Sequence, residues 1–170
     1  MSKIFGAMLV LLGCCMLGYA PVYRTKMRIK HLQAYMDMLG RMKQKLSVQQ
    51  LSLPQLFLYL NDSAKLTAKE LCEAVHRTLT SDNPLEYTNI WSEMISNQSA
   101  MLNANEQDAL STIGESLGKC SIEEQVYIIS QAEHILGEAY DDTYSRYNQM
   151  HRLYPSCSLA IGLMVVVVLI

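Results

Sequence analysis

Apolar positions recur every three or four residues through the middle of the chain, the spacing of one buried helix face. The clearest stretch ends at Gly118, and its apolar positions are Leu102, Ala109, Leu110, Ile113 and Leu117. Gly118 stands where the end of a helix takes a positive φ, a conformation that glycine adopts readily. Three residues later, Ser121 can cap a new helix, with Glu124 completing a capping box. The pattern therefore predicts two long antiparallel helices joined at this corner.

Similar helix-start chemistry recurs along the chain. A serine, threonine or asparagine with a Gln or Glu three residues later precedes further apolar segments, in ranges 52–55, 67–70, 83–86 and 103–106. The segment 47–53 is predicted to be a linker. No stretch alternates apolar and polar residues for long, so no sheet is expected. The fold class is therefore predicted to be all-α, a small bundle of about five to six helices.

The earliest helix of the bundle is predicted to follow Pro21. One side of it carries the apolar stripe Ile29, Leu32, Met36, Leu39, Met42 and Leu46. A stripe of this kind indicates core packing rather than a binding face. Trp91, on a later helix, is likewise expected in the core.

Both ends of the chain are apolar and uncharged, in residues 4–20 and 156–170. We expect an N-terminal transmembrane anchor at 1–21, a helical bundle domain at 22–152 and a C-terminal transmembrane helix at 153–170. Other interpretations of the N-terminal segment are a cleaved secretory signal or a lipoprotein box that leaves a lipidated Cys14. The C-terminal segment could alternatively be a buried core helix. The dense positive charge after Pro21 favours an uncleaved anchor, because such charge resists translocation.

Charge is divided between two parts of the chain. Residues 24–45 contain seven Lys and Arg residues and one acid, whereas residues 46–152 contain six bases and fifteen acids. A basic segment beside an apolar span is typical of a cytoplasmic membrane flank, so the bundle is expected in the cytoplasm. The acidic remainder argues against a nucleic-acid partner. The five cysteines form no disulfide pattern, which favours a reducing compartment.

The segment 114–118, Gly-Glu-Ser-Leu-Gly, matches the G-x-S-x-G nucleophile elbow of hydrolases. That motif works on a strand-to-helix turn, and here a helix precedes it, so an esterase centred on Ser116 is the disfavoured alternative. The four histidines are isolated from one another, and no phosphate-binding glycine loop is present. We expect no enzyme activity, no metal, no cofactor and no small-molecule substrate.

Charged residues are the candidates for contact with a partner or with the membrane surface. On the basic helix these are Arg24, Arg28, Arg41 and Lys43, and beside the corner they are Glu115, Glu123 and Glu124. The residues predicted to shape the corner itself are Gly114, Gly118, Ser121 and Gln125.

A set of residues distributed along the whole chain resembles the stage III sporulation protein AB family of endospore-forming bacteria. The set comprises Lys3, Gly6, Gly18-Tyr19, Arg28, Leu32, Leu53-Pro54, Trp91, the segment 114–118 with Gln125, and Gly162. The most specific part is the Gly-Glu-Ser-Leu-Gly segment followed by Gln125.

This resemblance implies a protein of the mother-cell membrane that faces the forespore and belongs to a multi-protein channel assembly. It also implies that the soluble part is similar to the cytoplasmic domain of the type II secretion platform protein, the F component. The implied partners are other stage III sporulation channel proteins, including a cytoplasmic secretion-type ATPase that the domain would couple to the membrane. The alternative function is an outward-facing, membrane-anchored lipoprotein or interaction module unrelated to secretion.

Overall fold

The computed structural model describes the backbone of residues 2–49, 51–81, 83 and 86–169, and the side chains of 22–49, 51–81, 83 and 86–149. Within them the chain forms six α-helices and no strand. They are α1 (Ser2–Gln49), α2 (Leu53–Ser63), α3 (Leu66–Leu79), α4 (Tyr87–Ser96), α5 (Ala104–Ser116) and α6 (Ile122–Leu169). The predicted all-α fold and number of helices are confirmed over this part of the chain.

The predicted anchors at 1–21 and 153–170 lie outside the residues whose side chains are described. Among the described residues, no helix has the length and hydrophobicity that crossing a membrane requires.

The helices divide into two compact units. One comprises residues 1–29 and 142–170, and the other comprises residues 30–141. The second unit contains α2 to α5 whole, together with the C-terminal part of α1 and the N-terminal part of α6. In the first unit, Val22 and Thr143 are buried, and Asp142 pairs with Arg146 one turn along α6.

The core of the 30–141 unit draws side chains from all six helices. Its centre holds Phe57 and Trp91, whose rings meet edge to face with centroids 6.0 Å apart, a favourable aromatic geometry. Trp91 is fully buried, which confirms its predicted place in the core. The predicted stripe on α1 is confirmed, with five members buried and Met36 partly buried. Its pattern did not include Tyr35 and Met38, which are also buried.

The predicted helix starts are correct in some places and wrong in others. The Asn103 capping box is confirmed, because the Glu106 carboxylate accepts the Asn103 backbone N–H at 2.8 Å. Ser52 occupies the N-cap of α2, but its side chain makes no capping hydrogen bond, and Pro54 lies in the first turn of the helix. Thr67 is not a cap, because α3 already begins at Leu66.

The predicted linker is shorter than 47–53. The α1 helix continues to Gln49, and α2 begins at Leu53. The burial of Leu46, near the end of α1, anchors the last turns of this helix in the core and accounts for its extension past residue 47.

Candidate functional site at the α5–α6 corner

The corner, defined here as residues 114–125, reverses the chain between α5 and α6. Gly118 has φ of +73°, as the sequence predicts for the end of this helix. A Cβ atom at this position would lie 2.9 Å from Leu53 Cδ1, which is closer than carbon atoms normally approach. The backbone conformation therefore favours glycine here, and a larger residue would also have to displace the Leu53 side chain of α2.

Gly114 lies directly beneath the indole ring of Trp91. A Cβ atom on Gly114 would fall 2.3 Å from Trp91 Cδ1, inside the ring's van der Waals surface. The ring is held there by its Nε1–H, which donates a hydrogen bond of 2.7 Å to the Leu110 carbonyl. Gly114 therefore allows α4 and α5 to approach closely.

Side-chain hydrogen bonds fix the remaining backbone of the corner. The Tyr87 hydroxyl donates to the Leu117 carbonyl, and this buried bond ties the end of α5 to α4. The Gln125 amide, itself buried, donates to the Cys120 carbonyl at 2.7 Å. The Ser121 hydroxyl accepts the Glu124 backbone N–H at 3.2 Å, which satisfies one free donor at the start of α6.

Ser116 is buried at this corner, and its hydroxyl donates to the Ile113 carbonyl of the same helix at 2.9 Å. It follows an α-helix, whereas a nucleophile elbow places its serine at the end of a strand. Of the two histidines downstream, His134 is exposed and lies 3.8 Å from Glu138, and His151 lies outside the described side chains. The surroundings of Ser116 are therefore those of a helix end.

The predicted basic contact residues fall into two groups. Arg24 and Arg41 are exposed on α1, while Arg28 is half-buried. Lys43 forms an ion pair with Glu133 of α6, and the two side chains are 36% and 23% exposed. The charge of Lys43 therefore joins α1 to α6 through a partly exposed ion pair.

Glycine at position 40 leaves room for this ion pair. A Cβ atom there would lie 3.3 Å from Glu133 Oε1.

The three predicted acidic contact residues, Glu115, Glu123 and Glu124, are exposed on the corner. The structure therefore combines in one corner a buried packing face and an exposed acidic face.

A partly buried polar cluster, which no sequence pattern predicts, links α1 to α3 and to the segment after α4. The His31 ring nitrogen Nδ1 lies 2.9 Å from the Thr67 hydroxyl, and the Tyr35 hydroxyl donates to Gln98 at 2.6 Å. Burial lowers the pKa of His31, and the nearby Glu70 carboxylate partly opposes this shift. Burial also raises the pKa of Tyr35 to about 12.

The described residues include no group of three or more His, Cys, Asp or Glu side chains arranged to hold a metal ion. Cys72 is buried, and this burial raises the pKa of its thiol to about 12. The neutral thiol lies 3.5 Å from the Met38 sulfur and acts as a core side chain.

Comparison with known proteins gives one result. The family model for stage III sporulation protein AB matches residues 3–170. No curated protein and no solved structure matches the chain. Because the family match extends over almost the whole sequence, the chain belongs to the stage III sporulation protein AB family, and its role lies in the third stage of sporulation.

Proposed function

We propose that this protein is a non-enzymatic membrane component of the channel assembly between mother cell and forespore. In this proposal, segments 1–21 and 153–170 anchor it in the mother-cell membrane, and the helical domain lies in the cytoplasm. There the domain couples a secretion-type ATPase to the membrane parts of the assembly. The observation that carries the proposal is the family match over residues 3–170.

The helical architecture supports a coupling role. The α1 and α6 helices are each 48 residues long, and each contributes to both compact units. Within the 30–141 unit, the Lys43–Glu133 ion pair joins these two helices. A hydrogen bond of 3.0 Å from the Gln33 amide to the Tyr140 hydroxyl joins them again. A partner that displaces one of these helices therefore also acts on the other. The all-helical domain is also the basis for the proposed fold-level similarity to the type II secretion F component.

Exposed charges provide the proposed contacts. Glu115, Glu123 and Glu124 project from the corner, where they can meet basic residues of the ATPase. Arg24 and Arg41 are exposed on α1 and can meet anionic lipid headgroups or acidic residues of the assembly.

The proposal is tested by purifying the tagged full-length chain from sporulating cells and measuring the co-purified ATPase by mass spectrometry. We expect the ATPase to be enriched with the native chain. Replacing Glu115, Glu123 and Glu124 with arginine should lower its recovery severalfold, because rim charges control encounter between partners. A matched control carries Glu93→Arg on α4, an exposed acid outside the corner.

The coupling proposal fails if the ATPase is absent from the purified complex. The proposed contact surface fails if the corner variant and the Glu93 variant recover equal amounts of it. Circular dichroism of both variants must show native helix content for the comparison to count.

A further inference from the structure

A groove runs along the outer surface between α5 and α6. It has a volume of about 210 Å³ and is lined by Asn105, Asp108, Ala109, Thr112, Ile128, Gln131, Ala132 and Ile135. Its floor is apolar, formed by the two alanines and the two isoleucines. Its edges carry an amide on each helix, a hydroxyl and the Asp108 carboxylate.

The size of the groove indicates what class of ligand it suits. Pockets for small molecules usually have volumes of roughly 300 to 1,000 Å³ and bury most of the ligand. This groove is smaller and only partly enclosed. Its α6 edge extends from Ile128 to Ile135, which is about 10 Å or two helical turns. A groove of two turns lined by both apolar and polar side chains suits an amphipathic helix from another protein.

The charge around the groove identifies the chemistry of that helix. Residues 104–135, which contain α5 and the α6 edge of the groove, include six Asp and Glu residues and one lysine. Glu106 is buried and Glu133 pairs with Lys43, which leaves four exposed acids. Asp108 lines the groove, and the exposed Glu115 and Glu124 lie one turn beyond it towards the corner. Arginine or lysine residues beside an apolar stripe would meet these carboxylates, and arginine can bind them in bidentate geometry.

From this geometry we infer that the α5–α6 groove docks a basic amphipathic helix of a partner protein. Its apolar residues pack on Ala109, Ile128 and Ile135, and its basic residues pair with Asp108 and the acids towards the corner. The inference rests on the proposed function only in requiring a protein partner, and it does not require that partner to be the ATPase.

The test uses the full-length chain in sporulating cells, with a photo-crosslinking amino acid in place of Gln131. The crosslinked peptides are identified by mass spectrometry. A matched control places the same amino acid at Asn89, which is exposed on α4 and does not line the groove. We expect the Gln131 position to capture a peptide from another protein, with apolar residues at helical spacing and a net positive charge. The Asn89 position should not capture it.

Two charge-reversal variants test the predicted ion pairs by the amount of crosslinked peptide that each one yields. With the crosslinker at Gln131, Asp108→Arg should reduce capture of this peptide by roughly three- to tenfold, the range expected when a rim ion pair becomes repulsive. Glu93→Arg makes the same change of charge outside the groove and should leave capture within about twofold.

Several results would overturn the inference. One is that Gln131 captures an acidic peptide, a second copy of this chain or lipid only. Another is that Gln131 captures nothing, or that Asn89 captures the same peptide equally well. Equal loss in Asp108→Arg and Glu93→Arg would also overturn it. If a basic helix is captured from another protein and the ATPase does not co-purify, the groove assignment stands and the coupling proposal fails. If the ATPase co-purifies and Gln131 captures no basic helix, the coupling proposal stands and the groove assignment fails.

Discussion

Replacing Gly114 with alanine tests the packing that organises the corner. The new methyl carbon would lie 2.3 Å from Cδ1, 2.5 Å from Cγ and 2.7 Å from Nε1 of Trp91. The indole cannot move away freely, because it is fully buried and its Nε1–H is bonded to the Leu110 carbonyl. Either α4 and α5 separate or the ring rotates, and in both cases core contacts are lost.

The expected loss of stability follows from three contributions. Overpacking a core by one methyl group costs about 1 to 3 kcal/mol. Bending or breaking the indole hydrogen bond costs about 1 kcal/mol more. Alanine has a helix propensity better than that of glycine by at most about 1 kcal/mol, which offsets the second contribution. We therefore expect Gly114→Ala to lower the free energy of unfolding by about 2 kcal/mol, and Tm by about 4 to 8 °C.

The measurement is urea and thermal unfolding of the full-length chain in detergent. Trp91 is the only tryptophan, so the red shift of its emission reports unfolding at the affected site itself. Far-ultraviolet circular dichroism provides an independent probe of helix content. Agreement between the two transitions shows that one cooperative event is being measured.

A matched control separates packing from helix propensity. Gly137 also lies inside a helix, but a Cβ atom there would be 3.9 Å from Met36 Cε, an ordinary contact distance. Gly137→Ala should therefore leave stability unchanged or raise it by up to about 1 kcal/mol. Equal unfolding midpoints for Gly114→Ala and Gly137→Ala would refute the argument. Adding Trp91→Phe to Gly114→Ala should recover part of the loss, measured as coupling in a double-mutant cycle.

Three other predictions follow from the same structure. Gly118→Ala should destabilise the chain by about 1 to 2 kcal/mol in urea unfolding, because its φ is +73° and the new Cβ would meet Leu53; an unchanged midpoint would contradict this. Burial lowers the pKa of His31 below its usual 6.5, so as the pH falls the unfolded chain binds a proton at this side chain before the folded chain does. The stability that neutral His31 contributes is therefore present above pH 6.5 and is lost as the pH falls below it. Tm should therefore fall between about pH 7.5 and about pH 5.5, and His31→Gln should reduce the fall; an equal fall in the variant would exclude His31 as its source. Buried Cys72 should resist maleimide in the native chain while half-buried Cys120 reacts. In a variant whose only cysteine is Cys120, ready labelling by an impermeant reagent in intact cells would place the domain outside the cell.

The features that sequence predicted well are those determined by neighbouring residues. A capping box needs a side chain and a backbone N–H three residues apart, and the one at Asn103 formed as expected. The positive φ of Gly118 is also local, since it depends on the helix end at that position. Thr67 shows the limit, because the hydroxyl predicted to cap α3 instead lies against His31, 36 residues away.

The features that sequence could not predict depend on residues far apart in the chain. Nothing near Gly114 indicates that Trp91, on another helix, lies 2.3 Å from where its Cβ would be. Tyr87 gave no signal either, although its hydroxyl bonds the Leu117 carbonyl, 30 residues away. The charge of Lys43 predicts a contact residue, and only the fold shows its ion pair with Glu133.

The corner also shows that the spacing of G-x-S-x-G does not by itself distinguish a nucleophile elbow from a helix end. In a hydrolase elbow, the glycines of G-x-S-x-G give room for a sharp strand-to-helix turn that exposes the serine. Here the same spacing follows a helix, so Gly114 admits the Trp91 ring and Gly118 takes the left-handed conformation that ends the helix. Ser116 then points into the helix end and bonds the Ile113 carbonyl. Gly114 is explained by its contact with α4, Gly118 is explained by its positive φ, and the corner leaves Glu115, Glu123 and Glu124 exposed to solvent.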